Sequence, residues 1–498
     1  MALRARAGCI ALVVFLAALT AAPGPARGYD FEVDATVVGQ GYQVRQVRLG
    51  GDRLLNRRRL LGSLRLGVWN LLPRNAHGRG PTLSFASNLR YGADFGDYLE
   101  QAALDATPEL EAQQRQLDVM YAYLEGQGFW GRVDFRAGRQ VSVDGLDWFA
   151  FDGLTVRVRT PALPLLVETS GGLEARAARE ELSGAPAYGD VGGTSAERAL
   201  LSPTIGAALE LAGPRWAAAR LSYRRTTSAG ATGDEAVDRD LAALGLDDDQ
   251  LVRAERLTLS GRAWLLGGRL QPYAGARFDA LRRVVDQRYA GVSARVTAAH
   301  TLRADYQNAL PSWDGDSIFN VFTQYPYDDL RVAWDGVAAA CWRAELRGTA
   351  RWFHHAGCDG AAGCDAPAYD VDLGGGAALE WSRRRGHLRG DGWFSDGGSG
   401  RSVGLDLSGA WKVRWRLGRG VDAGGGDSDV QLDGRLTLQA FEDALRAELE
   451  GVSFGAQVGV GWPIRPGLSA HIWVEDNISR FYDSALRVVG VLDLEVMP

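Results

Sequence analysis

The chain has 498 residues, of which 46% are hydrophobic and 23% charged, with 64 glycines and a formal net charge of −6. An acidic balance with a calculated pI near 5.7 argues against a nucleic-acid partner, and the length alone would suggest ~3 domains, a prior that large barrels routinely break. Lys412 is the one lysine, so nearly every cation is arginine, a bias of genomic composition that bears on function only where arginines share a face.

Residues 1–28 read as a secretory signal. Arg4 and Arg6 precede the apolar run CIALVVFLAALTAA, and Ala26 and Gly28 occupy −3 and −1 of a cleavage before Tyr29. No later run reaches ~18 consecutive apolar residues, so no transmembrane helix is expected. Residues 29–498 then form one domain, because no shift of composition divides them.

From Tyr29 onward the pattern has a period of two, the mark of extended strands with opposite faces. Arg132, Asp134 and Arg136 alternate with Val133, Phe135 and Ala137; Thr155, Arg157 and Arg159 alternate with Leu154, Val156 and Val158. LTLSGRAW sets Leu257, Leu259 and Ala263 against Thr258, Ser260 and Arg262. In GRSVGLDLSGAWKVRW, Val403, Leu405, Leu407, Trp411 and Val413 oppose Ser402, Asp406, Ser408 and Lys412. The last run, SALRVVGVLDLEV, sets Leu486, Val488, Leu492 and Leu494 against Arg487, Asp493 and Glu495. Five long connections interrupt the series, at roughly 92–116, 177–201, 228–249, 307–328 and 355–368. They are candidate outer loops or lumen plugs, and the apolar run SIFNVF lies in the fourth. The chain stops at Val496-Met497-Pro498, without the final aromatic usual in outer-membrane barrels.

A soluble β-sandwich and a membrane barrel share this periodicity. Long strands, their number, and aromatics near strand ends (Tyr121, Tyr123, Phe129, Trp130, Trp148, Phe149, Trp462, Trp473) favour the barrel. Lipid leaves a strand edge unsatisfied, so the sheet must close. The expected fold is all-β, a single large antiparallel transmembrane β-barrel of about 18–20 strands. Its polar face then lines a lumen, with Arg132, Asp134, Arg136, Arg139, Arg157 and Arg159 as pore-lining candidates; Val133, Phe135, Val156 and Val158 face lipid. The arginines either present an anion ladder or are held in ion pairs across the wall.

Cys358 and Cys364 flank the short loop CDGAAGC and are expected to form a disulfide; Cys9 leaves with the signal and Cys341 stands alone. No metal site is expected, since His354 and His355 beside those cysteines lack a recognised ligand spacing. Neither a nucleophile elbow nor a zinc-protease motif is present, so no catalytic residue and no cofactor is assigned; a serine paired with His471 is the remaining enzymatic reading.

The segment 135–160 resembles the alginate-export type of outer-membrane porin. It carries Gly138, Arg139 and Gln140, then Gly145, Trp148, Asp152 and Gly153, in the order and spacing seen in that family. The resemblance implies an arginine-lined barrel that passes an acidic polysaccharide outward, with a periplasmic export component as partner. The alternative is a passive porin for small solutes. In either case outer-membrane lipid surrounds the chain, and the cell is Gram-negative.

Overall fold

The computed structural model describes residues 30–46, 53–72, 80–94, 115–144, 146–161, 163–175, 203–211, 215–227, 252–309, 326–354, 371–398, 400–414, 429–442, 450–480 and 482–496. The strands are β1 (Asp30–Gln46), β2 (Arg53–Trp69), β3 (Thr82–Asp94), β4 (Arg115–Phe129), β5 (Val133–Asp144), β6 (Asp147–Arg159), β7 (Leu165–Glu174) and β8 (Pro203–Leu211). Next come β9 (Ala217–Thr227), β10 (Val252–Ala263), β11 (Leu270–Asp279), β12 (Val284–Arg295), β13 (His300–Ala309), β14 (Tyr327–Ala339) and β15 (Trp342–Phe353). The last are β16 (Val371–Arg383), β17 (Gly386–Gly397), β18 (Gly400–Arg414), β19 (Asp429–Glu442), β20 (Gly451–Arg465), β21 (Leu468–Ile478) and β22 (Tyr482–Val496).

Each strand pairs antiparallel with its sequence neighbours, and β1 pairs β22 from Val33 opposite Val496 to Gln46 opposite Tyr482. The sheet is therefore a closed barrel of 22 strands, more than the 18–20 expected. Tight turns account for the difference: residues 340–341, 384–385 and 466–467 suffice to join β14 to β15, β16 to β17 and β20 to β21. At about 4.8 Å between strands and a tilt of about 40°, 22 strands enclose a backbone cylinder roughly 44 Å across.

The two ends differ. Most turns after even-numbered strands are short, whereas the five expected long connections all follow odd-numbered strands. Short turns mark the periplasmic end and long loops the extracellular one. Those loops lie largely outside the described residues, as do the signal segment, SIFNVF, Cys358 and Cys364.

Leu154, Val158, Leu257, Leu259, Val403, Leu405, Leu407, Leu486, Val488 and Leu492 are all exposed large apolar side chains on one side of the sheet. A sandwich would bury them; a barrel in lipid need not. Trp342 and Trp352 stand ten residues apart on that side of β15, and Trp381 and Trp411 stack at 5.8 Å beside the Trp342 end. Ten residues rise about 34 Å along the strand, or about 25 Å along the axis at this tilt, the height of an outer-membrane apolar band. The chain is an outer-membrane β-barrel. Leu407, seven residues from either end of β18, lies near the middle of that band. Leu407→Arg is expected to destabilise the barrel by about 2–4 kcal/mol in urea unfolding from lipid, and Ser408→Arg, on the lumen side, by far less. Equal losses at both positions would contradict this assignment of faces.

Val133 opposes Val158 and Phe135 opposes Val156, all on the apolar side as expected. Several expected girdle aromatics face inward instead. Tyr123 lies under the Arg136 guanidinium, Phe149 under that of Arg224, and Trp473 donates to Asp433. Nearness to a strand end places an aromatic at a given height; parity places it on a face, and these have the parity of the polar set.

Candidate functional site

Pairing between β4 and β5 ends at Ala122 opposite Arg139. Above that point, residues 115–121 of β4 pair only with β3, and residues 140–144 of β5 pair only with β6. The departure is hinged on glycine. Gly138 has φ +124°, and a Cβ there would stand 2.3 Å from the Ala122 carbonyl oxygen. Gly153 lies directly opposite it, where a Cβ would meet the Gly171 carbonyl oxygen at 2.2 Å.

The free half of the β5–β6 hairpin turns into the lumen and lies across β7 to β11. Arg224 of β9 sets its guanidinium 4.5 Å from the Phe149 ring centre. Leu146, at the hairpin tip, accepts a 2.7 Å hydrogen bond from Arg277 Nη1 of β11. Behind the hairpin only a cavity of about 30 Å³ remains, lined by Ser142, Phe149, Ser170, Ala208, Ser222 and Thr258. Phe151, Gln140, Thr155, Thr204, Ser222, Thr226 and Thr258 are all buried along this contact. Among the described residues the rest of the barrel is a single-layered wall; here it has a core.

The family-like motif builds the hinge. Gln140 Nε2 lies within 3.1–3.5 Å of the carbonyl oxygens of Arg136, Gly138 and Gly153, and its Oε1 accepts from Thr155 Oγ1 at 2.8 Å. Arg139 clamps Asp152 through Nε at 2.7 Å and Nη2 at 2.8 Å, while Nη1 reaches across to the Val119 carbonyl of β4 at 3.2 Å. Arg139 thus has the parity of Ala122, Ala137 and Leu154, opposite to that of Arg136, and stands where the strand turns inward, apart from the cluster of Arg136, Arg157 and Arg159. Gly145 lies outside the described residues, and Trp148 falls within β6.

Beside the hairpin, toward the periplasm, is a recess of about 520 Å³. Arg136, Arg157, Arg159 and Arg220 line it together with Glu125, Asp134, Glu168 and Glu210. Arg157 Nε donates to Glu168 at 2.5 Å and Arg159 Nη2 to Asp134 at 2.6 Å. Arg136 pairs with Glu125 at 3.2 Å, and Arg220 bridges Glu168 and Glu210 at 2.8 and 3.2 Å. Arg132 sits apart, exposed in the periplasmic turn before β5. Of the expected residues, Asp134, Arg136, Arg157 and Arg159 are brought together, as ion pairs rather than as an uninterrupted ladder.

In the two pairs of β6 the acid is tucked under the base. The Arg157 and Arg159 side chains are 43% and 56% exposed, their partners Glu168 and Asp134 only 8% and 14%. The same order holds across the lumen for Arg331 and Arg351 over Asp329, and for Arg435 over Asp406. An arginine side chain is long and a carboxylate short, so in a concave wall the guanidinium ends nearer the water.

Glu168, Glu210, Arg220, Arg277 and Asp286 were missed by sequence reasoning. Alternation gives each a face, and Arg220, Ser222 and Arg224 show it plainly in AAARLSYRR, but nothing local says that a hairpin more than 60 residues upstream will cover them. His471 is tied up with Asp433 at 2.7 Å and stacked on Trp473 at 3.9 Å, among the lumen residues of β19 and β21.

No family model matches the chain, and no curated protein matches it either. Among solved structures, OccAB3 of Acinetobacter baumannii is similar at 10% identity and TM-score 0.42, over 94% of this chain and 99% of that one. OccK9 (OpdG) of Pseudomonas aeruginosa is similar at 10% identity and TM-score 0.41, over 94% and 98%. OccAB4 of A. baumannii follows at 7% identity and TM-score 0.40, over 95% and 100%. Likenesses this distant carry no functional conclusion.

Proposed function

We propose that the chain is an outer-membrane channel for small polar solutes, with anions favoured over cations. The observation that carries this reading is the vertical order of the ion pairs. In the pairs of Arg157, Arg159, Arg331, Arg351 and Arg435 the guanidinium is the more exposed end and the carboxylate the more buried one, whereas Arg220 with Glu210 has the reverse order. A ring of such dipoles presents a positive potential to a solute in the passage, and low-dielectric walls strengthen it. The overall charge of the chain has the opposite sign, so preference for anions has a local origin.

The passage of an acidic polysaccharide rests on residues 135–160 alone. There Gly138, Arg139, Gln140, Asp152 and Gly153 are accounted for by hinge and clasp, so the small-solute reading is better supported. Reconstitution tests it. Purified barrel in a planar bilayer is expected to give steady ohmic conductance, and barrel-bearing liposomes are expected to swell in a monosaccharide while excluding a large dextran. Absence of conductance from a folded, heat-modifiable barrel would remove the channel reading.

A further inference from the structure

We propose that Arg277 is a positioning residue that pins the β5–β6 hairpin across the lumen, and that this pinned hairpin sets the width, and so the size limit, of the passage. The inference rests on the channel reading and adds to it the element that selects.

Geometry supports it first. From Gly138 to Leu146 the hairpin rises about 26 Å, while the chord from β6 to β11 of a 22-strand cylinder is about 28 Å. The Arg277 side chain spans the remainder and meets the tip at the Leu146 carbonyl. A second strand layer displaces the lumen surface by about 10 Å over that sector.

Burial supports it independently. Arg277 and Asp286 form a forked pair, Nε at 2.9 and 3.0 Å from the two carboxylate oxygens and Nη2 at 2.9 Å. Asp286 is wholly buried and Arg277 nearly so. Away from the hairpin Asp329 is nearly as buried, but its partners Arg331 and Arg351 are 56% and 39% exposed. Arg277 is only 13% exposed where the hairpin tip lies against it, and the tip supplies the acceptor for the outermost nitrogen of the fork. The fork fixes the guanidinium plane, so Nη1 points at one place, and the tip is held there. A lysine, with one rotatable ammonium, has no such fixed direction.

Three measurements on the full-length barrel test the proposal. Arg277→Gln combined with Asp286→Asn removes both charges of the fork together. It is expected to raise single-channel conductance by about a third to a half, from the sector released, and to admit solutes that the native barrel excludes. Arg277→Lys should fall between native and double variant. In the otherwise native chain, Ser142→Cys faces the wall contact and Val143→Cys does not, so a water-soluble thiol reagent should modify position 143 about tenfold faster. In the double variant the two rates should converge. A conducting native barrel whose double variant keeps its conductance and size limit, or equal labelling at 142 and 143 in the native chain, would overturn the inference. A native barrel without conductance would instead overturn the channel reading, and the labelling ratio would still report where the hairpin lies.

Discussion

Gly138→Val is expected to cost the barrel about 3–5 kcal/mol, the sum of a β-branched residue forced into positive φ and a steric overlap with backbone. The overlap is with the Ala122 carbonyl oxygen, 2.3 Å from where the Cβ would stand, and a carbonyl in a paired strand cannot swing aside as a side-chain end does. The chain has two ways out. It unfolds at lower urea, or it straightens the hairpin into the wall, loses the buried contact of Phe149 and Phe151, and conducts more. Gly348→Ala is the control, since nothing lies within 4 Å of a Cβ there, and it should stay within about 0.5 kcal/mol of native. Urea midpoints followed by tryptophan fluorescence, with conductance on the refolded protein, check both. A Gly138→Val barrel with native midpoint and native conductance would mean that the hinge is elsewhere.

Arg157→Gln with Arg159→Gln is expected to lower the anion-to-cation permeability ratio by a factor of about 2–5 at low salt, because each change removes a cation and uncovers an acid beneath it. Glu168 keeps Arg220 as partner, so the recess should survive, whereas Asp134 retains only the backbone amide of Gly128 as a donor, at 2.7 Å. Reversal potentials under a salt gradient measure the ratio. The difference should shrink near 1 M salt, where screening acts within about 3 Å. A reversal potential indifferent to both substitutions would place the selective charges on another part of the lumen.

Sequence alternation made much of this legible. It assigned Val133, Phe135, Val156 and Val158 to lipid and Arg136, Arg157 and Arg159 to the interior, because side-chain direction in a strand depends on parity alone. Followed a few residues further, it also put Phe149 in the same row as Arg157, against its reading as part of a membrane girdle. The hairpin was not legible. A strand that bends inward keeps its alternation, and the pairing that ceases above Arg139 is a relation to a different strand. Only the paired glycines mark it, and glycine is too common here, at 64 residues, to single out two. The number of strands was underestimated for a related reason: turns of two residues leave almost no gap in the pattern.

The closing ladder has a different character from all the others. Twenty-one ladders join strands that are neighbours in sequence, so each can zip from a turn already made. The ladder of β1 with β22 joins Val33 to Val496 and has no such start. Loop-closure entropy for a segment of that length is about 5 kcal/mol, against about 1 kcal/mol for a turn of a few residues. Fourteen residue pairs offset it, but only once both edges exist, which makes the seam a late event in assembly. An incomplete cylinder is open on that side, and through this opening the β5–β6 hairpin has room to lie against β7 to β11 before the circle closes. Chain order thus leaves room for the inner layer to be laid down before the circle closes, much as an object goes into a bottle before the neck is drawn.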